Sequence, residues 1–204
     1  LEPRVLAMLA DAHPMMRALW QPRLIEAVRW IVRELAARPD RHVLAVEQEG
    51  AIDIAGVTLK GKFDRIDAMG DGTLGIVDYK TGQPPSTRAV RAGYSLQLGL
   101  LGLIAERGGF AGIAGRASCF EYWSLARKGG EFGYVQSPVD AAGKYGKMLP
   151  EEFVPNAADK FSETARAYLT GDAPFTAKLN PQYAPYADYD QLMRLGEWYG
   201  RERR

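Results

Sequence analysis

Two strand-like blocks separated by one sharp turn constrain this chain more than anything else in it. Val57 to Ala68 and Thr73 to Lys80 both read as strands, and Gly70-Asp71-Gly72 between them is a strong turn signal. The blocks should therefore pair as neighbours in a β-meander. Each carries charge in mid-strand. The first contains Gly61-Lys62-Phe63-Asp64-Arg65-Ile66-Asp67, the second Ile76-Val77-Asp78-Tyr79-Lys80-Thr81-Gly82. Side chains two apart on a strand share a face, roughly 6.6 Å apart at about 3.3 Å per residue. Asp78 and Lys80 thus project together, and pairing around the glycine turn can bring Asp64 to the same face.

Two carboxylates and an ammonium on one sheet face make a poor core, because burying an unpaired charge is costly. A divalent cation resolves the conflict. Hard oxygen ligands with few histidines suit Mg2+ or Mn2+, which retain waters and accept phosphate oxygens. Lys80 can position or deprotonate a water acidified by such an ion, and can stabilise charge developing on phosphate. The competing interpretation is a set of surface ion pairs, with Val77 and Tyr79 as the buried face. The density of the pattern from Gly61 to Gly82 argues against it.

The rest of the chain supplies layers around these strands. Pro14 to Ala37 reads as a long amphipathic helix striped by Trp20, Leu24, Val28, Ile31 and Leu35, with Pro22 able to split off its first turn. His42 to Gln48 reads as a strand, Glu49-Gly50 as a turn, and Ile52 to Ala55 as a return. Pro84-Pro85-Ser86 marks a loop. Tyr94 to Arg107 reads as a helix closed by Gly108-Gly109, Arg116 to Leu125 and Glu131 to Val135 as strands, and Glu151 to Leu169 as a third long helix. Pro174 to Tyr189 reads as an ordered loop and Tyr189 to Tyr199 as a short helix. Helix, strands, helix, strands, helix is an α+β or mixed α/β plan, a mixed sheet flanked by helices. We expect one domain over 1–204, with a helical part at 1–41, a catalytic sheet and helix at 42–137, and C-terminal helices and tail at 138–204. The start at Leu1 suggests a fragment of a larger protein.

Composition mainly excludes. The single cysteine, Cys119, rules out an internal disulfide, a four-cysteine zinc site and a Cys-ligated iron–sulfur cluster, and fits a reducing, cytoplasmic setting. No apolar run is long enough to span a membrane. A formal net charge of +1 does not announce a nucleic-acid binder, so DNA binding needs a local basic patch. GxxxxGK[ST], HExxH and GxSxG motifs are all missing, which excludes the corresponding ATP, zinc and serine chemistries.

The two blocks, followed by Gln97 in Tyr94-Ser95-Leu96-Gln97, resemble the signature of RecB-type nucleases of the PD-(D/E)xK superfamily. The resemblance covers residues 42–105 well. It extends more loosely to Pro174-Phe175 and to Asp188–Trp198, which are similar to the C-terminal nuclease domain of AddB-type subunits of bacterial double-strand-break repair helicase–nucleases. It implies a restriction-endonuclease-like fold. It also implies metal ligation by Asp64, Asp78 and the Tyr79 backbone carbonyl, catalysis by Lys80, and an ordering or DNA-contacting role for Gln97. The implied partners are DNA, chiefly single-stranded, and a helicase–nuclease subunit in the bacterial cytoplasm. Two departures stand out. No Gly-x-x-x-His helix precedes the sheet, so no role passes to His13. The four-cysteine iron–sulfur cluster of many AddB-type subunits cannot form.

Around this core, Glu47 is a candidate extra acidic ligand or a solvent-facing strand residue. Arg65 and Asp67 lie opposite Asp64 by parity. They read as a structural ion pair, against a DNA-contacting role for Arg65. Lys60, Lys62, Arg88 and Arg91 can contact phosphate, and Tyr94 can stack on an unpaired base or fill the core. Trp20, Trp30, Trp123 and Trp198 read as packing residues. The leading expectation is a Mg2+-dependent DNA exonuclease. The alternatives are a catalytically inactive nuclease-fold module that binds DNA or partner subunits, and, third, a stand-alone CRISPR-associated exonuclease.

Overall fold

A computed structural model describes residues 2–175, 180–183, 192 and 194. Its centre is a five-stranded sheet in the order β1-β2-β3-β4-β5: β1 Arg41–Ile54, β2 Val57–Met69, β3 Leu74–Lys80, β4 Ala117–Lys128 and β5 Glu131–Gln136. Neighbours pair antiparallel except β3 and β4, which are parallel. A parallel pair needs a crossover. Here it consists of α3 Thr87–Arg91 and α4 Gln97–Glu106. Helices α1 Glu2–Met8 and α2 Pro14–Ala36 precede the sheet, and α5 Pro150–Tyr168 follows it. The expected mixed sheet flanked by helices is what the chain forms.

The α4 sequence QLGLLGLIAE is apolar on every side, and Leu98, Leu101, Leu103, Ile104 and Ala105 are all buried. A helix of that kind must be covered on both flanks. It lies between the sheet and α5, where a Cβ at Gly99 would come within 2.5 Å of the Ala157 Cβ. Glycine here lets α4 and α5 touch. Ile66, Ile76, Phe120, Leu98, Ile104 and Phe153 belong to this core. The opposite sheet face carries a smaller core of Trp30, Val77 and Trp123, flanked by Ile31, Leu35 and Tyr79.

Several local expectations need correction. Glu49-Gly50 is not a turn: β1 runs unbroken through it. Gly50 is glycine because a Cβ would lie 2.2 Å from the Phe110 ring. The chain reverses instead at Ala55-Gly56, both left-handed, with φ 52° and 79°; the pair joins β1 to β2 as a two-residue hairpin turn. Pro22 does not split α2, because the carbonyl its ring orphans is that of Ala18, on an exposed stretch where water can satisfy it. Trp20 in that stretch is 44% exposed rather than packed, whereas Trp30 and Trp123 are buried. α4 starts at Gln97, not Tyr94, and α3 was not anticipated. The helix expected at 189–199, with Trp198, lies outside the described residues.

Candidate active site

The β2–β3 ladder ends at the pair Arg65↔Val77. One step further, Asp64 would oppose Asp78, but the strands part there. The freed Tyr79 N–H donates instead to Asp64 Oδ2, at 2.7 Å. The carbonyl of a strand residue points to the same side as its N–H, so the Tyr79 carbonyl also faces this gap. Side-chain parity changes at the same level: Phe63 and Ile66 share the helical core although odd and even. On β1 the residue opposite Asp64 in register is Glu47, which takes a left-handed φ of 54°. The opening between β2 and β3 is thus a local break where their ladder ends.

Asp78 and Lys80 point from β3 toward α4. Asp78 is 3% exposed. Its Oδ1 accepts from Gln97 Nε2 at 2.7 Å, and its Oδ2 lies 2.8 Å from Lys80 Nζ. Lys80 Nζ in turn donates to Gln97 Oε1 at 2.9 Å. The three groups form a closed triangle, with Gln97 donating to the anion and accepting from the cation. Burial pushes the Asp78 carboxyl upward; Lys80 and Gln97 oppose it and Asp64 adds to it, with a net rise. Beneath Lys80 lies the buried Tyr122 ring, 5.8 Å from Nζ. Burial, the chief cause, pushes its phenol up to about 12, so it stays protonated.

Asp64, Asp78, Lys80 and Gln97 therefore converge as the spacing predicts. The charge count is two carboxylates against one ammonium. Asp78 Oδ2 is fully buried and makes an ion contact with Lys80 without a well-directed hydrogen bond. A hard cation between Asp64, Asp78 and the Tyr79 carbonyl would balance that excess, so the donor set fits Mg2+ or Mn2+. No group of three or more His, Cys, Asp or Glu residues arranged to hold a metal occurs among the described residues. Glu47, the candidate extra ligand, is exposed on β1 with its carboxylate 2.5 Å from Lys62 Nζ, and both Glu47 and Asp64 act on that ammonium.

Arg65 and Asp67 form the structural ion pair expected of them, and Arg65 is corrected as a DNA contact. It is 2% exposed and faces the other side of the sheet, where its Nε meets Asp67 Oδ1 at 2.9 Å and its Nη1 donates to the Tyr79 hydroxyl at 2.6 Å. Its guanidinium lies 4.1 Å from the Trp123 ring centroid. Arg41 completes this buried cluster, contacting Asp67 at 3.0 Å and Glu121 at 2.9 Å. Glu121 also accepts from Trp123 Nε1 at 2.8 Å. Sequence reasoning missed Arg41 and Glu121, although a glutamate inside the apolar strand Cys119-Phe120-Glu121-Tyr122-Trp123 was a signal.

Lys60 and Lys62 are exposed on β2, and Arg88 and Arg91 on α3. Tyr94 is 44% exposed and stacks on Tyr183 with ring centroids 4.4 Å apart.

An acidic pair at a splayed strand end, with a lysine two residues on and a crossover helix holding the second aspartate, is the arrangement of restriction-endonuclease-like nuclease folds. The sequence matches the PD-(D/E)XK nuclease superfamily over residues 2–188, and the chain belongs to that superfamily. Its members are generally nucleases that use divalent metals. No curated protein matches the sequence. No described helix is long and apolar enough to cross a membrane.

Proposed function

We propose that this chain hydrolyses DNA phosphodiester bonds with bound Mg2+ or Mn2+, as an exonuclease on single strands. Within the superfamily we assign it to the RecB type, nearest the C-terminal nuclease domain of AddB-type subunits. Its setting would be double-strand-break repair in the bacterial cytoplasm, with a helicase motor in the same polypeptide or a partner subunit feeding the strand. The GKFDRID and IVDYKTG blocks, Gln97 and the resemblance of the tail support that finer assignment.

One observation carries the catalytic reading: Asp64 and Asp78 converge at a strand break, with Lys80 held against Asp78. Asp64, Asp78 and the Tyr79 carbonyl would hold the ion. When bound, it would polarise a phosphate oxygen and acidify a water. The chain's own groups do the rest. The Tyr79 N–H fixes the Asp64 carboxylate. Gln97 locks Asp78 and Lys80 in register. Lys80 Nζ, partly exposed, presents its charge where negative charge grows on the phosphate.

The test is cleavage of a labelled single-stranded oligonucleotide. The wild type should cut with Mg2+ or Mn2+ and not in EDTA. Asp78→Ala and Lys80→Ala should each lose at least about a hundredfold in rate. A wild type that binds DNA but never cuts, at any metal concentration, would establish the inactive-module alternative instead.

A further inference from the structure

Hydrolysis leaves one feature of the crossover unused. Between α3 and the turn at 144–146 lies a depression of about 430 Å3, lined by Arg88, Arg91, Tyr145 and Tyr183 among others. Arg91 Nη1 donates to Gly146 O at 3.2 Å and ties the turn to α3. Arg88 is exposed, and its side chain makes no ion pair among the described residues.

Tyr145 is the unusual member. It is 91% exposed, and its backbone is left-handed, with φ 56° and ψ 28°. A bulky residue in that region is an outlier that costs energy and persists only where its surroundings hold it. Its flanking glycines, Gly143 and Gly146, are also at positive φ, 62° and 69°. The whole turn is therefore wound to hold one aromatic ring out into solvent beside two arginines. The Tyr94–Tyr183 stack abuts the depression. Tyr94 is three residues from Gln97, at most roughly 11 Å of extended chain, so the segment that leads from the depression into α4 is the one that carries Gln97 to Asp78.

We propose that this depression binds an unpaired nucleotide of the substrate strand, with its base stacked on Tyr145 and its phosphates on Arg88 and Arg91. The inference rests on the nuclease reading for its substrate and adds how that substrate is gripped. An open aromatic face can take only an unpaired base, and stacking tolerates any base. The site therefore selects single strands without selecting sequence.

The experiment is fluorescence anisotropy in EDTA, with a labelled oligothymidylate and an abasic strand of equal length. Tyr145→Ala should weaken oligothymidylate binding about tenfold and leave abasic binding unchanged, while Tyr145→Trp retains wild-type affinity. Tyr145→Gly should bind as poorly as the alanine variant yet unfold at no lower temperature, because glycine relieves the left-handed strain. Arg88→Ala should weaken both strands and flatten the salt dependence by about 0.7 in log–log slope. Equal oligothymidylate affinity for wild type and Tyr145→Ala overturns the proposal, as does a loss that persists on the abasic strand. Mg2+-dependent cleavage by the wild type is read separately. Cleavage with unchanged binding sinks only the nucleotide site; a base-dependent loss without any cleavage sinks only the hydrolytic reading.

Discussion

β2 and β3 carry charged clusters on both of their faces, built from adjacent residues. Asp64, Asp78 and Lys80 turn toward the break and α4; Arg65, Asp67 and Tyr79 turn toward α2. The second cluster balances two arginines, Arg41 and Arg65, against Asp67 and Glu121, and Asp67 is wholly buried. The first sets two aspartates against one lysine, and Lys80 keeps 29% of its side chain exposed. Residue type does not separate the two. Charge balance and closure do. A neutral, sealed cluster has nothing left to offer a ligand, whereas an excess carboxylate at an opening invites a cation.

The sharpest way to break this contrast is to remove one carboxylate from each face. Burial raises the Asp67 carboxyl too, but Asp67→Asn takes the carboxylate from two buried guanidiniums and leaves them facing Glu121 alone, which should cost about 3–5 kcal/mol in denaturant unfolding. Asp78→Asn should abolish cleavage yet leave stability equal or higher. The sign follows from linkage. Burial raises the Asp78 carboxyl above its ordinary value, so the folded state binds the proton more tightly than the unfolded one. Ionising it therefore costs stability once pH exceeds the unfolded value of about 3.9. Asparagine removes that cost. Equal destabilisation by the two variants would mean that both faces are structural.

Gln97 sharpens the comparison from within the site. It touches both members of the Asp78–Lys80 pair but supplies no charge. Gln97→Ala should lower cleavage about tenfold to a hundredfold, the usual loss when a ligand's orienting partner is removed. Its stability should fall by only about 1–3 kcal/mol, because the side chain is exposed and what is lost is the donor to the buried Asp78 Oδ1. A rate equal to wild type would leave the triangle without a catalytic purpose.

The site was more legible than the sheet around it. Asp64, Asp78 and Lys80 could be read because strand parity and the Gly70–Gly72 turn are short-range signals. Gln97 came only from family resemblance, since nothing local tells a helix glutamine what it will face. Glycine misled in β1: Gly50 resembles a turn residue but answers to Phe110, distant in sequence. The true turn begins with Ala55, a residue that rarely takes positive φ. The parity change beside Asp64 has no sequence signature, because it arises where two ladders part. A glutamate in an apolar strand signalled Glu121 but not its partner, because Arg41 joins Asp67 to Glu121 only across the sheet.

Tyr79 belongs to both clusters, its hydroxyl to the sealed one and its N–H to Asp64. Tyr79→Phe deletes the contact with Arg65 but keeps the backbone. It should cost about 1.5 kcal/mol of stability, as expected for a hydrogen bond to a charged group, with cleavage near wild type. A large loss of activity would show that the two faces are coupled through the ring rather than merely adjacent.

Cys119 offers the finest resolution, because it sits beside the sealed cluster, 3.8 Å from Arg41 Nη1. Burial above all, and Glu121 beside it, push its thiol up to about 12, with Arg41 opposing. An unfolded cysteine ionises near 8.5, and only the thiolate is alkylated. At pH 8 the native protein should therefore react with iodoacetamide at least about a hundredfold more slowly than the denatured chain. Its rate should keep rising well beyond pH 9. Cys119 is itself part-exposed, so this rate reports how firmly the neighbouring cluster shields the thiol. Tyr79→Phe should accelerate it by up to roughly tenfold, the equivalent of its lost hydrogen bond. Asp78→Asn and Gln97→Ala, on the other face, should not change it. A native rate that levels off near pH 9 would mean that water reaches the cluster, and the distinction between a sealed face and an open one would then fail at its sealed end.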